Sequence, residues 1–327
     1  MLLVRELRMP AQALLLYSVV ALTSCGGGNV SSSGGSGNPV VPGGSSAQPG
    51  GGSPAGAQRA MVVMLVEENH AYEQVMGNAA MPYLNSLAQQ GGVATQYYAD
   101  MHPSLPNYFA LTTGATQTND NNFPGPVTAD NLARELIASG KTWKVYAEDL
   151  PSPGYLGTTV GNYIKHHNPF AYFSDVVNSP SQAANIVPFT QFASDVSTGS
   201  LSDFIFIVPN VADDSHECIG FVCNDNDVLI RADQWLKTNI APLVATPRFQ
   251  SSGLLLITFD EANLADLRNG GGRVALIAVG PKAKAGVQSS TFYKHENTLK
   301  TVCVVLGLAS CPGPAASVSA ETDLIQQ

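Results

Sequence analysis

The segment AMVVMLVEENH, residues 60–70, decides the fold class of this chain. Its apolar run lacks the alternation of a half-exposed strand, so we expect a strand covered on both faces, as in a parallel sheet. Similar runs occur at 142–147, 203–209, 253–259 and 273–280, and helical patterns lie between them at 81–91, 128–140 and 227–244. This alternation predicts an α/β fold, a three-layer sandwich around a mostly parallel central sheet.

Polar side chains follow three of these predicted strands directly. The first strand ends in Glu67, Glu68, Asn69 and His70, the third leads to Asp213, Asp214 and His216, and the fourth ends in Asp260 and Glu261. The carboxyl ends of parallel strands lie along one edge of a sheet, where α/β folds bind their ligands. So many carboxylates at one edge require a cation, since like charges close together cannot all ionise. The sequence therefore predicts one or two divalent metal ions at this edge.

The segment HPSLPN, residues 102–107, places Ser104 at the start of a short apolar helix. One interpretation is structural, because serine favours the N-cap and Pro106 suits a first helical turn. The other is chemical, because a helix N-terminus binds phosphate and a nearby metal would allow the Ser104 hydroxyl to attack phosphorus. Asn107 would then donate a hydrogen bond to a phosphoryl oxygen. The spacing alone leaves both interpretations open.

Residues 1–25 have the pattern of an export signal. Arg5 and Arg8 precede an apolar run that is too short to span a bilayer and ends in Leu22-Thr23-Ser24-Cys25. That ending resembles the lipobox of bacterial lipoproteins and predicts a lipid on Cys25 that anchors the chain to a membrane. An ordinary secretory signal that contains a cysteine is the alternative. Gly26 after Cys25 favours the outer membrane, on its periplasmic or cell-surface side.

Residues 26–58 are almost all glycine, serine, proline and small polar residues, which predicts a flexible linker. The folded domain is then expected over 59–327. A formal charge of −9 argues against a nucleic-acid partner, because no basic stripe is available for a phosphate backbone. It leaves small phosphorylated substrates open, since a few local cations or metals can hold them.

Four cysteines remain when Cys25 is set aside. In an oxidising compartment an even set indicates disulfides, and the neighbours pair most easily as Cys218–Cys223 and Cys303–Cys311. A metal site built from His216, Cys218 and Cys223 is the alternative. It is disfavoured because thiolates outside the cytoplasm are usually oxidised.

Several segments in order resemble the bacterial phosphoesterase family of secreted acid phosphatases and phospholipases C, within the alkaline phosphatase superfamily. They are VEENHAYEQVMG, HPSLPNYFALTTG, KHHNPFAYF, PNVADDSHE, ITFDEAN, GGGRVALIAVGP and YKHENTLKTVCVVLGL. The resemblance extends from about residue 60 to about residue 308. It implies an alkaline-phosphatase-like catalytic domain over 59–327, with Ser104 as the nucleophile.

The resemblance also implies the roles of the remaining site residues. Glu68, Asn69, Asp260 and Glu261 would bind a metal together with Ser104. Asp214, His216 and His295 would hold a second metal, or would bind the phosphate and supply protons. His167 would contact the phosphate or the leaving group. Asp213 departs from the family pattern, which leaves open whether it shares the role of Asp214. His70 and His102 are as consistent with orienting the site as with binding metal.

The expected function is metal-dependent hydrolysis of a phosphate monoester through a phosphoserine at Ser104, with His167 or His295 protonating the leaving group. A phosphodiesterase or phospholipase C that acts on lipid headgroups is a second possibility. The chain's end soon after Cys311 favours the compact phosphatase. A non-catalytic surface lipoprotein and a metal-free serine hydrolase are two further alternatives, although the chain lacks a G-x-S-x-G elbow around Ser104.

Overall fold

An eight-stranded sheet forms the middle layer of the fold. The computed structural model describes residues 59–216, 218 and 223–326, so the expected signal peptide, Cys25 and the linker lie outside the described residues. The strands are β1 (Met61–Glu67), β2 (Gly92–Tyr98), β3 (Trp143–Ala147), β4 (Ile186–Pro188), β5 (Phe204–Val208), β6 (Gly253–Phe259), β7 (Leu276–Val279) and β8 (Val287–Lys294). Their order across the sheet is β4-β3-β5-β1-β6-β7-β2-β8.

The five strands from β4 to β6 in this order are parallel, and β1 lies between β5 and β6. Every residue of β1, β5 and β6 is buried, as their unbroken apolar runs predict. The fold class expected from the sequence, a three-layer α/β sandwich with a mostly parallel sheet, is confirmed. Three neighbouring strands therefore direct their carboxyl ends to one place.

One predicted parallel strand runs the other way. The segment 273–280 forms β7, which pairs antiparallel with both β6 and β2. A parallel return needs a crossover that is usually helical, and the connection 260–275 contains no helix. The chain therefore turns back beside β6 instead of crossing over the sheet.

Ten helices accompany the sheet in the described residues. They are α1 (Tyr72–Val75), α2 (Pro82–Gln90), α3 (Ser104–Thr113), α4 (Leu132–Ala138), α5 (Ser174–Val177), α6 (Pro180–Ala183), α7 (Thr190–Thr198), α8 (Asp225–Val244), α9 (Pro247–Ser252) and α10 (His295–Leu306). Short 3-10 turns occur at Lys165–His167, Pro169–Tyr172 and Gly313–Ala316. Helices α3 and α10 pack together, as do α2 and α8. The helical patterns at 81–91, 128–140 and 227–244 correspond to α2, α4 and α8.

Both predicted disulfides are present. Cys218 is bonded to Cys223, and Cys303 is bonded to Cys311, with Cα atoms 5.9 and 5.7 Å apart respectively. Oxidised sulfurs are unavailable as thiolate ligands, so the alternative metal site with His216, Cys218 and Cys223 is not formed. Within the described part of the chain, no helix is both long enough and apolar enough to cross a bilayer.

Candidate active site

The carboxyl ends of β5, β1 and β6 meet at the centre of the sheet edge. The amide of Glu68 donates to the carbonyl oxygen of Asp214 at 2.8 Å, and the amide of Asp260 donates to the carbonyl oxygen of Glu67 at 2.9 Å. Backbone hydrogen bonds thus join the three acidic strand ends. The sequence predicts that these strand ends meet at one edge, and parallel pairing of adjacent strands produces that arrangement.

Glu68, His167 and Asp214 form a buried group, which we call the Glu68 cluster. His167 Nε2 lies 3.1 Å from Glu68 Oε1, and His167 Nδ1 lies 3.2 Å from Asp214 Oδ2. The hydroxyl of Tyr108 donates to Glu68 Oε1 at 2.6 Å, and the Tyr108 ring stacks on the His167 ring with centroids 5.4 Å apart. One ring therefore bridges two carboxylates that belong to different strand ends.

The Glu68 cluster leaves several buried polar atoms without a hydrogen-bond partner. Burial lowers the pKa of His167 well below its ordinary value, so the ring carries one N–H for two facing carboxylates. His167 Nε2 and Asp214 Oδ2 make no aligned hydrogen bond in the described part of the chain, and neither does Asp260 Oδ2. A divalent cation needs nitrogen and oxygen ligands that lie close together and have no other hydrogen-bond partner. These atoms meet that requirement, so the residues present fit a metal.

Burial and mutual repulsion raise the pKa of every carboxyl at the site. Burial is the largest cause in each case, and it raises the pKa of Asp214 to about 8, of Asp260 to about 7 and of Glu261 to about 9. For Glu68, burial and the neighbouring Asp260 raise the pKa well above its ordinary value, while the Tyr108 hydrogen bond opposes them. Such a site is poised to accept positive charge.

Ser104 is the first residue of α3, and its hydroxyl faces two carboxylates from different strand ends. Ser104 Oγ lies 3.3 Å from Glu68 Oε2 and 3.5 Å from Glu261 Oε1. The residue is buried, and its side chain does not cap the helix. The cap interpretation is therefore wrong for the Ser104 side chain, which lies among the acidic groups instead.

Glu261 is oriented by His102. His102 Nδ1 lies 2.9 Å from Glu261 Oε2, and His102 Nε2 lies 3.1 Å from the carbonyl oxygen of Asp266. Both ring nitrogens thus have protein partners, which supports the orienting interpretation of His102. His70 is similar, since its Nδ1 lies 3.0 Å from the carbonyl oxygen of Glu68.

Asn107 lies beside Ser104 but uses its amide inside the protein. Its Oδ1 accepts from the amides of Asp100 and Met101, and its Nδ2 donates to the carbonyl oxygens of Met101 and Pro103 at 2.7 and 3.1 Å. Nδ2 also lies 3.5 Å from Glu261 Oε2. In this arrangement Asn107 shapes the loop before Ser104, and donation to a phosphoryl oxygen would require one of these bonds to open.

His295 lies behind Asp260 rather than in the Glu68 cluster. Its Nε2 lies 2.7 Å from the carbonyl oxygen of Asp260, and its Nδ1 lies 2.8 Å from the hydroxyl of Tyr97. The ring is fully buried, and burial lowers its pKa. With both nitrogens bonded to protein groups, His295 offers no ligand atom in this arrangement and instead fixes the backbone at the end of β6.

Asp213 and Asp214 point to different partners. Asp213 Oδ1 accepts from Arg231 Nε at 2.7 Å, so Asp214 alone of the pair joins the Glu68 cluster. His216 is exposed, and its ring centroid lies 6.1 Å from that of His167. The loop that carries these residues is held by Ser215, whose hydroxyl donates to the carbonyl oxygen of Glu68 at 2.8 Å.

Two residues at the site adopt left-handed backbone conformations. Asn69 has a φ of 54° and Ser215 has a φ of 71°. Non-glycine residues pay energy for this conformation, and such strain concentrates at functional sites. The Asn69 amide donates to Asp260 Oδ1 at 3.2 Å, so the turn that bends the chain after Glu68 also holds a carboxylate in place.

Comparison with known proteins identifies the family of this chain. The profile of the Phosphoesterase family matches residues 70–309. The chain belongs to the Phosphoesterase family. A probable acid phosphatase from Kluyveromyces lactis is 32% identical over 255 residues, which cover 75% of this chain and 57% of that protein. A phosphatidylinositol-3-phosphatase from Mycobacterium tuberculosis is 31% identical over 268 residues, which cover 81% of this chain and 82% of that protein.

An acid phosphatase from Aspergillus fumigatus is 32% identical over 252 residues, covering 74% of this chain and 54% of its own length. The matched region thus spans little more than half of the two fungal relatives. Among solved structures, an alkaline phosphatase superfamily protein from Vibrio parahaemolyticus superposes with a TM-score of 0.55 at 14% identity. That match covers 77% of this chain and 67% of the other, and it supports the fold alone.

This phosphoesterase-family chain holds its Ser104 loop with a glycine turn at 269–273. The amide of Gly271 donates to the carbonyl oxygen of Ala99, and the amide of Ala99 donates to the carbonyl oxygen of Gly272. A Cβ on Gly270, where φ is +111°, would collide with the carbonyl oxygen of Asp100. These contacts show that residues 269–273 form a tight turn, and they give it a role in positioning the chain before Ser104.

Gly270→Ala is expected to destabilise the fold by about 3 kcal/mol and to lower kcat about tenfold, because the added methyl must displace Asp100. Gly286→Ala is the matched control. Gly286 also has a positive φ, of +68°, but a Cβ there meets open space, so only a backbone cost of about 1 kcal/mol is expected. Thermal unfolding and initial rates would be measured for both variants. Equal losses in the two would contradict a packing role for Gly270.

Two contributions to the site were missed in the sequence. Tyr108 was not singled out, although a position four residues after Ser104 in a helix lies on the same face and could have been examined. His167 was expected to contact substrate only, but it lies between two carboxylates as a possible metal ligand. His167 lies in a short 3-10 turn, which has no regular hydrophobic period, so no periodic pattern in the sequence predicts its contacts.

Proposed function

We propose that this chain hydrolyses phosphate monoesters, with Ser104 as the nucleophile and a divalent cation as cofactor. The observation that supports this most directly is the Ser104 hydroxyl, which lies 3.3 and 3.5 Å from the carboxylates of Glu68 and Glu261. A serine hydroxyl is a poor nucleophile unless a base or a metal activates it. Membership of the Phosphoesterase family and the acid phosphatase relatives are consistent with the same reaction.

The residues that would hold a cation fall into two adjacent groups. Glu68, His167 and Asp214 form one, with His216 at its rim. Asn69, Asp260 and Glu261, which adjoin Ser104, form the other. A bound divalent cation would lower the pKa of the Ser104 hydroxyl and would offset negative charge on the phosphoryl oxygens. The unpartnered atoms of His167, Asp214 and Asp260 support this use of the site.

The proposed reaction has two steps. In the first, Ser104 gives its proton to Glu68 or Glu261, its oxygen bonds to phosphorus, and the bond to the leaving oxygen breaks. The leaving oxygen takes a proton from a histidine, and we assign this role to His167 because both His295 nitrogens are bonded inside the protein. A phosphate dianion beside the ring would favour its charged form. One nitrogen of His167 can donate a proton to the leaving oxygen or bind a metal, but it cannot do both.

In the second step, water attacks the phosphoserine. The neutral His167 takes a proton from the water, the new bond to phosphorus forms, and the bond to Ser104 breaks. Ser104 recovers a proton from the carboxyl group that received it, and phosphate leaves. Developing charge on the equatorial oxygens is met by the positive end of α3, a helix of ten residues.

A lipid-headgroup substrate is the second candidate. The phosphatidylinositol-3-phosphatase from Mycobacterium tuberculosis favours it, because that relative is matched over 82% of its length. Lipidation at Cys25 and attachment to the outer membrane would hold the domain near such a substrate. These N-terminal features lie outside the described residues and remain part of the proposal.

The proposal is tested by metal removal. We expect a chelator to reduce hydrolysis of p-nitrophenyl phosphate by at least about 100-fold, and one divalent metal to restore it. Initial rates before chelation, after it and with each metal added back would be compared, together with metal content per chain. Bis-p-nitrophenyl phosphate, assayed in parallel, separates monoesterase from diesterase activity. Indifference to chelation would instead favour a metal-free hydrolase, and no hydrolysis of either ester under any metal would favour a binding protein.

A further inference from the structure

A cleft of about 470 Å³ borders the site on the side of the 3-10 turn Lys165–His167. Its lining includes Asn121, Asn122, Phe123, Lys165, His166 and Tyr172. The cleft joins the catalytic residues through two short connections. Asn121 Oδ1 accepts from the amide of Leu105, the residue after Ser104, at 2.8 Å. His166 precedes His167, with ring centroids 4.8 Å apart.

Lys165 brings a positive charge into this cleft that no carboxylate neutralises. Its Nζ lies 4.6 Å from the centroid of the Tyr172 ring, and it makes no ion pair with any residue that the structure describes. Other basic groups around the site are paired: Lys294 with Asp100 at 2.6 Å, and Arg273 with Glu73 at 3.0 Å. Lys165 is half-buried, and its ammonium has donors to spare.

The rest of the cleft suits a polar, hydroxyl-bearing group. Phe123 and Tyr172 stack with ring centroids 6.3 Å apart and provide a flat apolar wall. The Nδ2 group of Asn121 makes no hydrogen bond to a described residue, while Asn122 is exposed beside it. Amide groups next to an aromatic wall are typical of sites that hold polyols. The ammonium of Lys165, which lies over the Tyr172 ring, adds recognition of an anion.

We propose that this cleft binds the leaving group of the substrate, and that Lys165 selects a polyol phosphomonoester that carries a second phosphate. The inference rests on the proposed function, because the first phosphate must occupy the site at Ser104. Lys165 and His167 belong to the same 3-10 turn, so the cleft that contains Lys165 adjoins the residue that completes the Glu68 cluster. The second phosphate could belong to a soluble bisphosphate or to the diester of a lipid headgroup, since both present the same anion to the lysine.

The test compares two soluble probes that differ by one phosphate, inositol 3-phosphate and inositol 1,3-bisphosphate. In the Lys165→Met variant, kcat/KM for the bisphosphate is expected to fall about tenfold more than kcat/KM for the monophosphate, the usual effect of losing one charge-assisted contact. Methionine is one atom shorter than lysine but keeps an unbranched apolar side chain, so packing on Tyr172 is retained. A second arm presents phosphatidylinositol 3-phosphate in phosphatidylcholine vesicles, to separate a lipid source from a soluble one.

Lys237→Met is the matched control, since Lys237 is an exposed lysine on α8, away from the cleft. It is expected to leave both rates unchanged. If Lys165→Met selectively lowers kcat/KM for the soluble bisphosphate or for the lipid in vesicles, the cleft inference is supported. The probe that is affected identifies the source of the second phosphate. If the wild-type chain hydrolyses the probes but Lys165→Met lowers all rates equally or not at all, the inference is overturned while the proposed function stands. If the wild-type chain hydrolyses no phosphomonoester with any metal, the proposed function itself fails.

Discussion

Ser104→Ala is expected to lower kcat for p-nitrophenyl phosphate by at least about 1,000-fold, because it removes the atom that bonds to phosphorus. Stability should change little, since the hydroxyl makes only the long contacts of 3.3 and 3.5 Å to Glu68 and Glu261. Metal binding should persist, because Glu68, His167 and Asp214 are untouched. Steady-state rates, thermal unfolding and metal content measure the three effects separately.

Ser194→Ala is the control for this prediction, because Ser194 is an exposed serine on α7. It should leave rate, stability and metal content unchanged. The covalent intermediate has its own test, in which acid-quenched wild-type protein carries a phosphate on Ser104 and the Ser104→Ala protein carries none, as observed by peptide mass spectrometry. Undiminished turnover in Ser104→Ala would end the proposed mechanism, whatever the metal result.

Glu68→Gln is expected to have the second largest effect. Glu68 lies between Ser104, Tyr108 and His167, so its charge serves both the nucleophile and the Glu68 cluster. Glutamine keeps the shape and can still accept from Tyr108, but it removes the negative charge that a cation needs. We expect metal affinity and kcat/KM each to fall by at least about 100-fold. Metal titration and initial rates measure these losses, and the exposed Glu73→Gln is the control.

The same substitution should weaken the pH dependence of stability in metal-free protein. Burial raises the pKa of Asp260 to about 7, of Asp214 to about 8 and of Glu261 to about 9. The folded state therefore binds more protons than the unfolded state between about pH 4 and pH 9. The stability that these carboxyls contribute is therefore present at low pH. It is lost as the pH rises through their folded-state pKa values. We expect the Tm of the chelated wild-type protein to fall from pH 5 to pH 9.

Glu68→Gln removes one of the repelling charges, so its chelated form should show a smaller fall in Tm over that range. A divalent metal should abolish the fall in the wild type, because binding favours the ionised carboxyls. Glu73→Gln should follow the wild-type profile, since Glu73 lies on the surface. A Tm that rises with pH in the chelated wild type would show that the carboxyls are not packed as the site requires.

Much of the fold could be predicted from the sequence, because buried strands are unbroken apolar runs. β1, β3, β5 and β6 were located by this pattern, and so were the acidic residues that follow β1, β5 and β6. β8 was missed because it is an edge strand with half of its residues exposed, so its composition is polar. β2 was missed because Thr95 and Gln96 interrupt its apolar run. The reversal of β7 was missed because direction depends on the connection rather than on the strand itself.

Within the site, the residue types were predictable and their contacts were not. Glu67 and Glu68 are adjacent and chemically alike, yet Glu68 faces Ser104 while both carboxyl oxygens of Glu67 lack partners among the described residues. Successive residues of a strand point to opposite faces, so only the register of β1 in the sheet determines which carboxylate joins the cluster. Asp213 and Asp214 are likewise adjacent and alike, and only the tertiary structure pairs Asp213 with Arg231 on α8.

The sequence by itself determined that acidic groups end several buried strands, that a serine begins a helix near them, and that the chain resembles a family of phosphoesterases. These features are local, and hydrophobic periodicity and motif order are sufficient to detect them. Only the tertiary structure decided that His167 bridges Glu68 and Asp214, that His295 supports Asp260 from behind, and that Lys165 faces a cleft beside the site. Such contacts join residues far apart in the chain, so they depend on how the strands pair and on how the loops pack over the sheet edge.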